Sequence, residues 1–153
     1  MTLYHKMFDE IEPEVIKEVR SIIKKGLFKK ENSVEIRQNL IIELNKNLST
    51  FYGFREPKIR FIDDFVFIGQ TRKNEIILNK PSLVTFLHEF AHYKFIKKKE
   101  QNSEERARGW SISCFYLATP KLCQSAIEKG LILHQKSMVE EERKPVQEEQ
   151  EEE

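Results

Sequence analysis

The stretch LVTFLHEFAHYK, residues 83–94, places two histidines and a glutamate within a strongly apolar segment. Its apolar side chains recur with the period of an α-helix, and Pro81 stands where a first helical turn favours proline. Residues four apart lie on the same face of a helix, so His88 and His92 can present both imidazoles to one ion. The segment therefore predicts an apolar helix that carries a pair of metal ligands.

Glu89 lies one step around that helix, near enough to hydrogen-bond a water on the ion and too far round to compete as a ligand. Two histidines that bind zinc and a glutamate that acts as general base are the features of a zinc peptidase motif. Zinc lowers the pKa of a bound water to about 7, so a carboxylate can take its proton at neutral pH. The competing interpretation is a pair of core histidines satisfied by hydrogen bonds. The metal site is favoured because half of the four histidines fall in this one motif.

A catalytic zinc needs three protein ligands, and the third is expected downstream, in the segment SEERARGW at residues 103–110. Glu104 and Glu105 both fall in the first turn of a predicted helix, where either can interact with the helix dipole. Because Glu105 suffices for that role, Glu104 is the favoured third ligand, with Glu105 and His134 as possible substitutes. Glu104 follows His92 by only twelve residues, so the connection between the two helices must be tight.

The order of helical and strand patterns predicts an α+β fold. Two N-terminal helices, over about 13–28 and 34–48, precede a small antiparallel three-stranded sheet at 58–79. Within this sheet, the segment from Gly69 to Asn74 is expected to form a hairpin turn. The sheet packs on the helix that carries the motif, and a glutamate helix follows, capped by Asn102 and Ser103.

The last fifteen residues form a strongly acidic segment. They carry a net charge of −6, which leaves +7 on residues 1–138 because the whole chain carries +1. A run of like charges with little to bury predicts a disordered tail at 139–153, after a single domain at 1–138. The chain has only two cysteines and no apolar run long enough for a membrane span, so a cytoplasmic protein without membrane association is expected.

HEFAH followed by EERARGW resembles the active site of the gluzincin zinc peptidases, in which a glutamate helix completes the metal site. Glu104, Ala107 and Trp110 match the spacing of the second motif in the minimal soluble gluzincins (minigluzincins) of archaea. The similarity covers roughly residues 58–118. It implies a zinc-dependent hydrolase of peptide bonds in which Glu89 is the catalytic base and His88, His92 and Glu104 bind Zn²⁺.

The resemblance also implies further expectations about the site. Family members often have an aspartate at the position of Arg108, where it orients a zinc-bound histidine; here Asp63 or Asp64 could serve instead. Residues 76–79 fall where the family has its substrate-binding edge strand, so a peptide or protein substrate is expected to pair there. The resemblance further implies a possibly latent enzyme whose cleft is covered by a terminal segment.

A peptidase also needs a donor that stabilises the transition state. Tyr116 and Arg108 are possible residues for this role, and Tyr93, Arg106 and His134 are further candidates. Nothing in the sequence favours one of them over the others.

Two other classes of protein remain open. One is a non-catalytic, zinc-stabilised interaction or regulatory protein that has the same metal ligands. The other is a nucleic-acid-binding protein, suggested by the basic body; this class is disfavoured because no aromatic-basic reader motif or helix-turn-helix pattern occurs.

Overall fold

The computed structural model describes residues 10–63 and 68–130, which form five helices and three strands. In chain order these are α1 (Pro13–Lys24), α2 (Val34–Tyr52), β1 (Lys58–Phe61), β2 (Gly69–Arg72), β3 (Glu75–Leu78), α3 (Leu83–Lys97), α4 (Glu104–Ala118) and α5 (Pro120–Glu128). The predicted α+β class is confirmed. His134, Asp64 and the predicted acidic tail lie outside the described residues.

The sheet differs from the prediction in both direction and order. Its strand order is β1-β3-β2, and β1 pairs parallel to β3 while β2 pairs antiparallel to β3. The expectation of a purely antiparallel sheet is therefore wrong. The predicted turn at Gly69–Asn74 is also wrong, since Gly69–Arg72 is a strand and only Lys73 and Asn74 form the turn.

Strand β3 is the central strand, so the prediction that residues 76–79 form an exposed edge is wrong. Strand β2 is joined to β3 by a two-residue turn and pairs with one side of β3, and β1 pairs with its other side. Ile76, Ile77 and Leu78 are each at most 1% exposed. Continuous burial is typical of a strand that is covered on both faces. In the described part of the sheet, the edge that lies next to α3 is β2.

Helix α3 lies between the sheet and α4 and is buried over most of its length. The stacked rings of Phe90 and Trp110 join α3 to α4, with Phe86 packed on Phe90 within α3. Ser111 also donates a hydrogen bond to the backbone oxygen of Val84. These contacts fix the position of α3 relative to α4. The ligands contributed by the two helices are therefore held by the hydrophobic core.

Serine caps set the starts of α3 and α4. The Ser82 Oγ accepts from the Thr85 N–H, and the Ser103 Oγ accepts from the Arg106 N–H at 3.1 Å. Each cap satisfies an N–H group that the helix itself leaves without an acceptor. The predicted cap at Ser103 is confirmed, and it makes Glu104 the first residue of α4.

A tight reversal joins α3 to α4 and contains Lys99, a non-glycine residue with φ of 56°. The Glu100 N–H donates to the Phe95 oxygen at 2.8 Å and the Lys99 N–H to the Ile96 oxygen at 3.1 Å. These two bonds define a Schellman ending, in which the left-handed position favours glycine. The reversal returns the chain at once and brings Glu104 back beside α3.

Lys99→Gly is expected to stabilise the protein. The left-handed conformation costs an L-residue about 1 kcal/mol, which glycine avoids, so the unfolding temperature should rise by about 2–4 °C. Lys98→Gly is the matched control, because Lys98 has φ of −89° and should gain nothing. Thermal unfolding followed by circular dichroism measures both variants. A lower unfolding temperature for Lys99→Gly would contradict the strained reversal.

Candidate metal centre

Three candidate ligands from two helices converge at one point. His88 and His92 lie one turn apart on α3, and Glu104 begins α4 opposite them. The His88 Nε2 lies 2.9 Å from the Glu104 Oε1, and the His92 Nε2 lies 3.0 Å from the Glu104 Oε2. The two Nε2 atoms are 3.3 Å apart. The ligand atoms of the three residues all lie within 4.8 Å of one another, close enough to share one ion.

The spacing of these atoms fits zinc. Two donors that each lie about 2.0–2.1 Å from a tetrahedral ion are about 3.3 Å apart. The separation of the His88 and His92 Nε2 atoms equals that value, and the two nitrogen–oxygen distances are within about 0.5 Å of it. Two imidazole nitrogens and one carboxylate oxygen are also the ligand types of a catalytic zinc site, which keeps a fourth position open.

Asn102 fixes the orientation of His92. The His92 Nδ1 donates to the Asn102 Oδ1 at 2.6 Å, so the Nε2 faces Glu104 and His88. For His92 the acceptor is therefore Asn102, not the expected Asp63, which is solvent-exposed. The sequence marked Asn102 only as part of a helix cap.

Glu104 is open to solvent on one side, with 69% of its side chain exposed. Burial alone would raise the pKa of Glu104, but the charges of His88 and His92 and their hydrogen bonds outweigh this effect and hold the pKa below its ordinary value. The carboxylate is thus ionised at neutral pH, as metal binding requires. Its exposure leaves the cluster accessible to water and to a substrate.

Glu89 lies beside the ligand cluster and is only 9% exposed. Its carboxylate Oε1 lies 2.6 Å from the Thr71 hydroxyl, which is also 2.8 Å from the backbone oxygen of Glu89. Burial, together with the charge of Glu104, raises the pKa of Glu89 above its ordinary value, against the opposing effects of Thr71 and His92. A higher pKa makes the carboxylate a stronger base, closer to neutral pH. Thr71 was not predicted as a site residue, because its segment was predicted to be a turn.

A cavity of about 270 Å³ adjoins the cluster and opens between β2 and α3. It is lined by Ile68, Gly69, Val84, Thr85, His88, Glu89 and Glu104. A Cβ atom at Gly69 would lie 2.9 Å from the Thr85 Cγ2 and 3.1 Å from the Glu89 Cγ. Glycine at this position therefore allows β2 to approach α3 closely beside the candidate base.

The other predicted site residues lie elsewhere. Glu105 is solvent-exposed and is not part of the ligand cluster found among the described residues. Tyr116 follows Glu104 by twelve residues on α4, a rise of about 18 Å, which is too far to reach a reaction at the cluster. The Tyr93 hydroxyl donates to the Arg55 backbone oxygen, and the Arg106 guanidinium donates to Gln101 and Glu100. These three placements do not support a role in transition-state stabilisation.

Arg108 is not among the described residues that line the cavity beside the cluster. It lies one turn after Glu104 on the same face of α4, between Glu104, which contacts His88, and Ser111, which contacts Val84. Its Nε atom is buried and has no hydrogen-bond acceptor. A buried donor without an acceptor is unusual in a folded protein.

Comparisons of the chain with protein-family models, with curated proteins and with solved structures yield no match. The resemblance to the gluzincins therefore stays a prediction based on the spacing of a few residues. Within residues 10–63 and 68–130, no helix has the length and apolarity needed to cross a bilayer.

Proposed function

We propose that this protein is a zinc-dependent metallopeptidase that hydrolyses peptide bonds with a metal-activated water. The observation that carries the proposal is the convergence of His88, His92 and Glu104, with Glu89 buried beside them. The sequence pattern alone could arise by chance. The third carboxylate, from a different helix and at ligand distance from both histidines, makes a chance origin much harder to accept.

Zinc bound by these residues would supply Lewis acidity, which polarises the substrate carbonyl and lowers the pKa of a water to about 7. The protein's own groups account for the proton transfers. Glu89 takes the proton of the attacking water and later gives it to the leaving amine. Burial keeps the Glu89 carboxylate basic, and the Thr71 hydroxyl holds it in place.

Arg108 is the residue that we propose for transition-state stabilisation. The observation that supports this role is its position one turn after Glu104 on the same face of α4. Arg108→Gln should lower kcat about 10- to 100-fold while zinc stays bound, because a stabilising donor is lost. Steady-state kinetics with parallel metal analysis tests this role. An unchanged kcat would remove Arg108 from the site.

The proposed substrate is an extended peptide or protein segment that pairs with β2. The Asn79 N–H donates to the Ile68 oxygen, so hydrogen-bonded pairs with β3 fall at Ile68, Gln70 and Arg72. The backbone N–H and C=O groups of Gly69 and Thr71 then point to the other side of β2, where no strand of the described residues pairs with it. A peptide that adds to this edge lies along the cavity beside His88 and Glu89.

We also propose that the enzyme acts in the cytoplasm. The two cysteines, Cys114 and Cys123, are free and buried, and burial raises the pKa of both thiols. Free thiols suit a reducing compartment. Fractionation of the native host cells, followed by detection with an antibody, tests the location, and recovery of the protein outside the cytoplasm would contradict it.

A peptide-library assay tests the proposed activity directly. The zinc-loaded protein is incubated with a mixture of peptides, and mass spectrometry identifies the products. Cleavage that stops when a chelator removes the metal is expected. A protein that retains zinc but cleaves no peptide would instead support a non-catalytic, zinc-stabilised protein, in which the ion joins α3 to α4.

A further inference from the structure

Thr71 contacts both parts of the proposed reaction site. Its side chain points toward α3, where the hydroxyl lies 2.6 Å from the Glu89 carboxylate. Its backbone N–H and C=O point toward the edge of β2 that pairs with no other described strand, because the pair Thr71–Ile76 falls between hydrogen-bonded pairs of the ladder. One residue therefore faces the candidate base with its side chain and the proposed substrate strand with its backbone.

We infer that Thr71 is a positioning residue that couples occupancy of the β2 edge to the alignment of Glu89. This inference rests on the proposed peptidase function. A substrate that pairs with the backbone of Thr71 restricts the movement of β2. It thereby also restricts the Thr71 hydroxyl, which holds the Glu89 carboxylate by a hydrogen bond. The alignment of the base then depends on whether an extended peptide occupies the edge.

The close packing of β2 on α3 makes this coupling direct. Gly69 lies two residues before Thr71 on the same face of the strand. A Cβ at this position would lie too close to Thr85 and Glu89, so the glycine lets the strand approach α3. The strand and the base are thus in contact at two successive inward positions. A small shift of β2 is therefore passed to the Glu89 side chain through the Thr71 hydrogen bond.

Thr71→Val and Thr71→Ser test the inference, with kcat and KM measured on short and long peptides. Valine keeps the shape of threonine but removes the hydroxyl, so kcat should fall about 10- to 100-fold while KM changes less than about threefold. Serine keeps the hydroxyl and should retain a kcat within about threefold of wild type. Thr119→Val, the same change at a half-buried threonine beyond α4, is the matched control and should leave both constants unchanged.

Peptide length provides the test of coupling. In the wild type, extending a peptide so that it pairs with both Gly69 and Thr71 should raise kcat as well as lower KM. In Thr71→Val the same extension should only lower KM, because the strand no longer holds the base. If Thr71→Val does not fold, Thr71→Ala replaces it, and thermal unfolding identifies this case.

The outcomes separate this inference from the function on which it rests. Active wild-type protein with an unchanged kcat in Thr71→Val, or with Thr71→Ser as impaired as Thr71→Val, would overturn the role of Thr71 alone. A kcat gain from peptide extension that persists in Thr71→Val would overturn the coupling. Zinc-loaded wild-type protein without peptide cleavage would overturn the proposed function and this inference together.

Discussion

Glu89→Gln is expected to lower kcat by about 10²–10⁴-fold while zinc remains bound, because general-base catalysis contributes about that much. The amide has nearly the shape of the carboxylate but cannot accept a proton from water. It can still accept the hydrogen bond from Thr71 through its carbonyl oxygen, so the packing between β2 and α3 should persist. The loss therefore isolates the proton transfer from changes in the fold.

Steady-state cleavage of a peptide substrate, together with the zinc content of the same sample, measures this effect. Glu105→Gln is the matched control, since Glu105 is exposed and its neighbour Glu104 holds the ligand position. The control should keep both activity and zinc. Full activity in Glu89→Gln would show that another group is the base and would contradict the proposed mechanism.

Removal of the metal is expected to destabilise the protein. A zinc ion that binds only the folded state at 100 times its Kd contributes about 2.7 kcal/mol, which corresponds to about 5–10 °C in the unfolding temperature for a chain of this length. The contribution arises because the ligands come from α3 and α4 and are brought together only by folding. A chelator should therefore lower the unfolding temperature by this amount.

Differential scanning calorimetry with and without chelator measures the shift. In His88→Ala and in Glu104→Gln the chelator should have no effect, because the site no longer holds the ion. Glu105→Gln should respond like the wild type. A chelator shift of wild-type size in Glu104→Gln would exclude Glu104 as a ligand.

Structural features that depend on residues close together in the chain were predicted correctly from the sequence. The helix with His88 and His92 followed from its apolar period, and the start of α4 followed from Ser103. These features depend on residues three or four positions apart, whose chemistry is visible in any single chain. Glu104 was favoured as the third ligand because Glu105 suffices for the helix dipole, whereas the short connection was the reason to keep Glu105 and His134 as alternatives.

The strand order and the contacts between segments that are far apart in the chain were not predicted from the sequence. Residues 76–79 have the composition of either an edge or a central strand, and only the parallel pairing with β1 decides between them. The contact of Thr71 with Glu89 depends on that same strand order. The bond between Asn102 and His92 was missed because asparagine before a helix is normally explained as a cap.

The zinc content of the purified protein tests the central claim most directly. Elemental analysis should find about one zinc per chain in the wild type and in Glu105→Ala, and almost none in His88→Ala, His92→Ala or Glu104→Ala. Wild-type protein that binds no zinc when the ion is supplied, or zinc that is retained after all three ligand substitutions, would contradict the account.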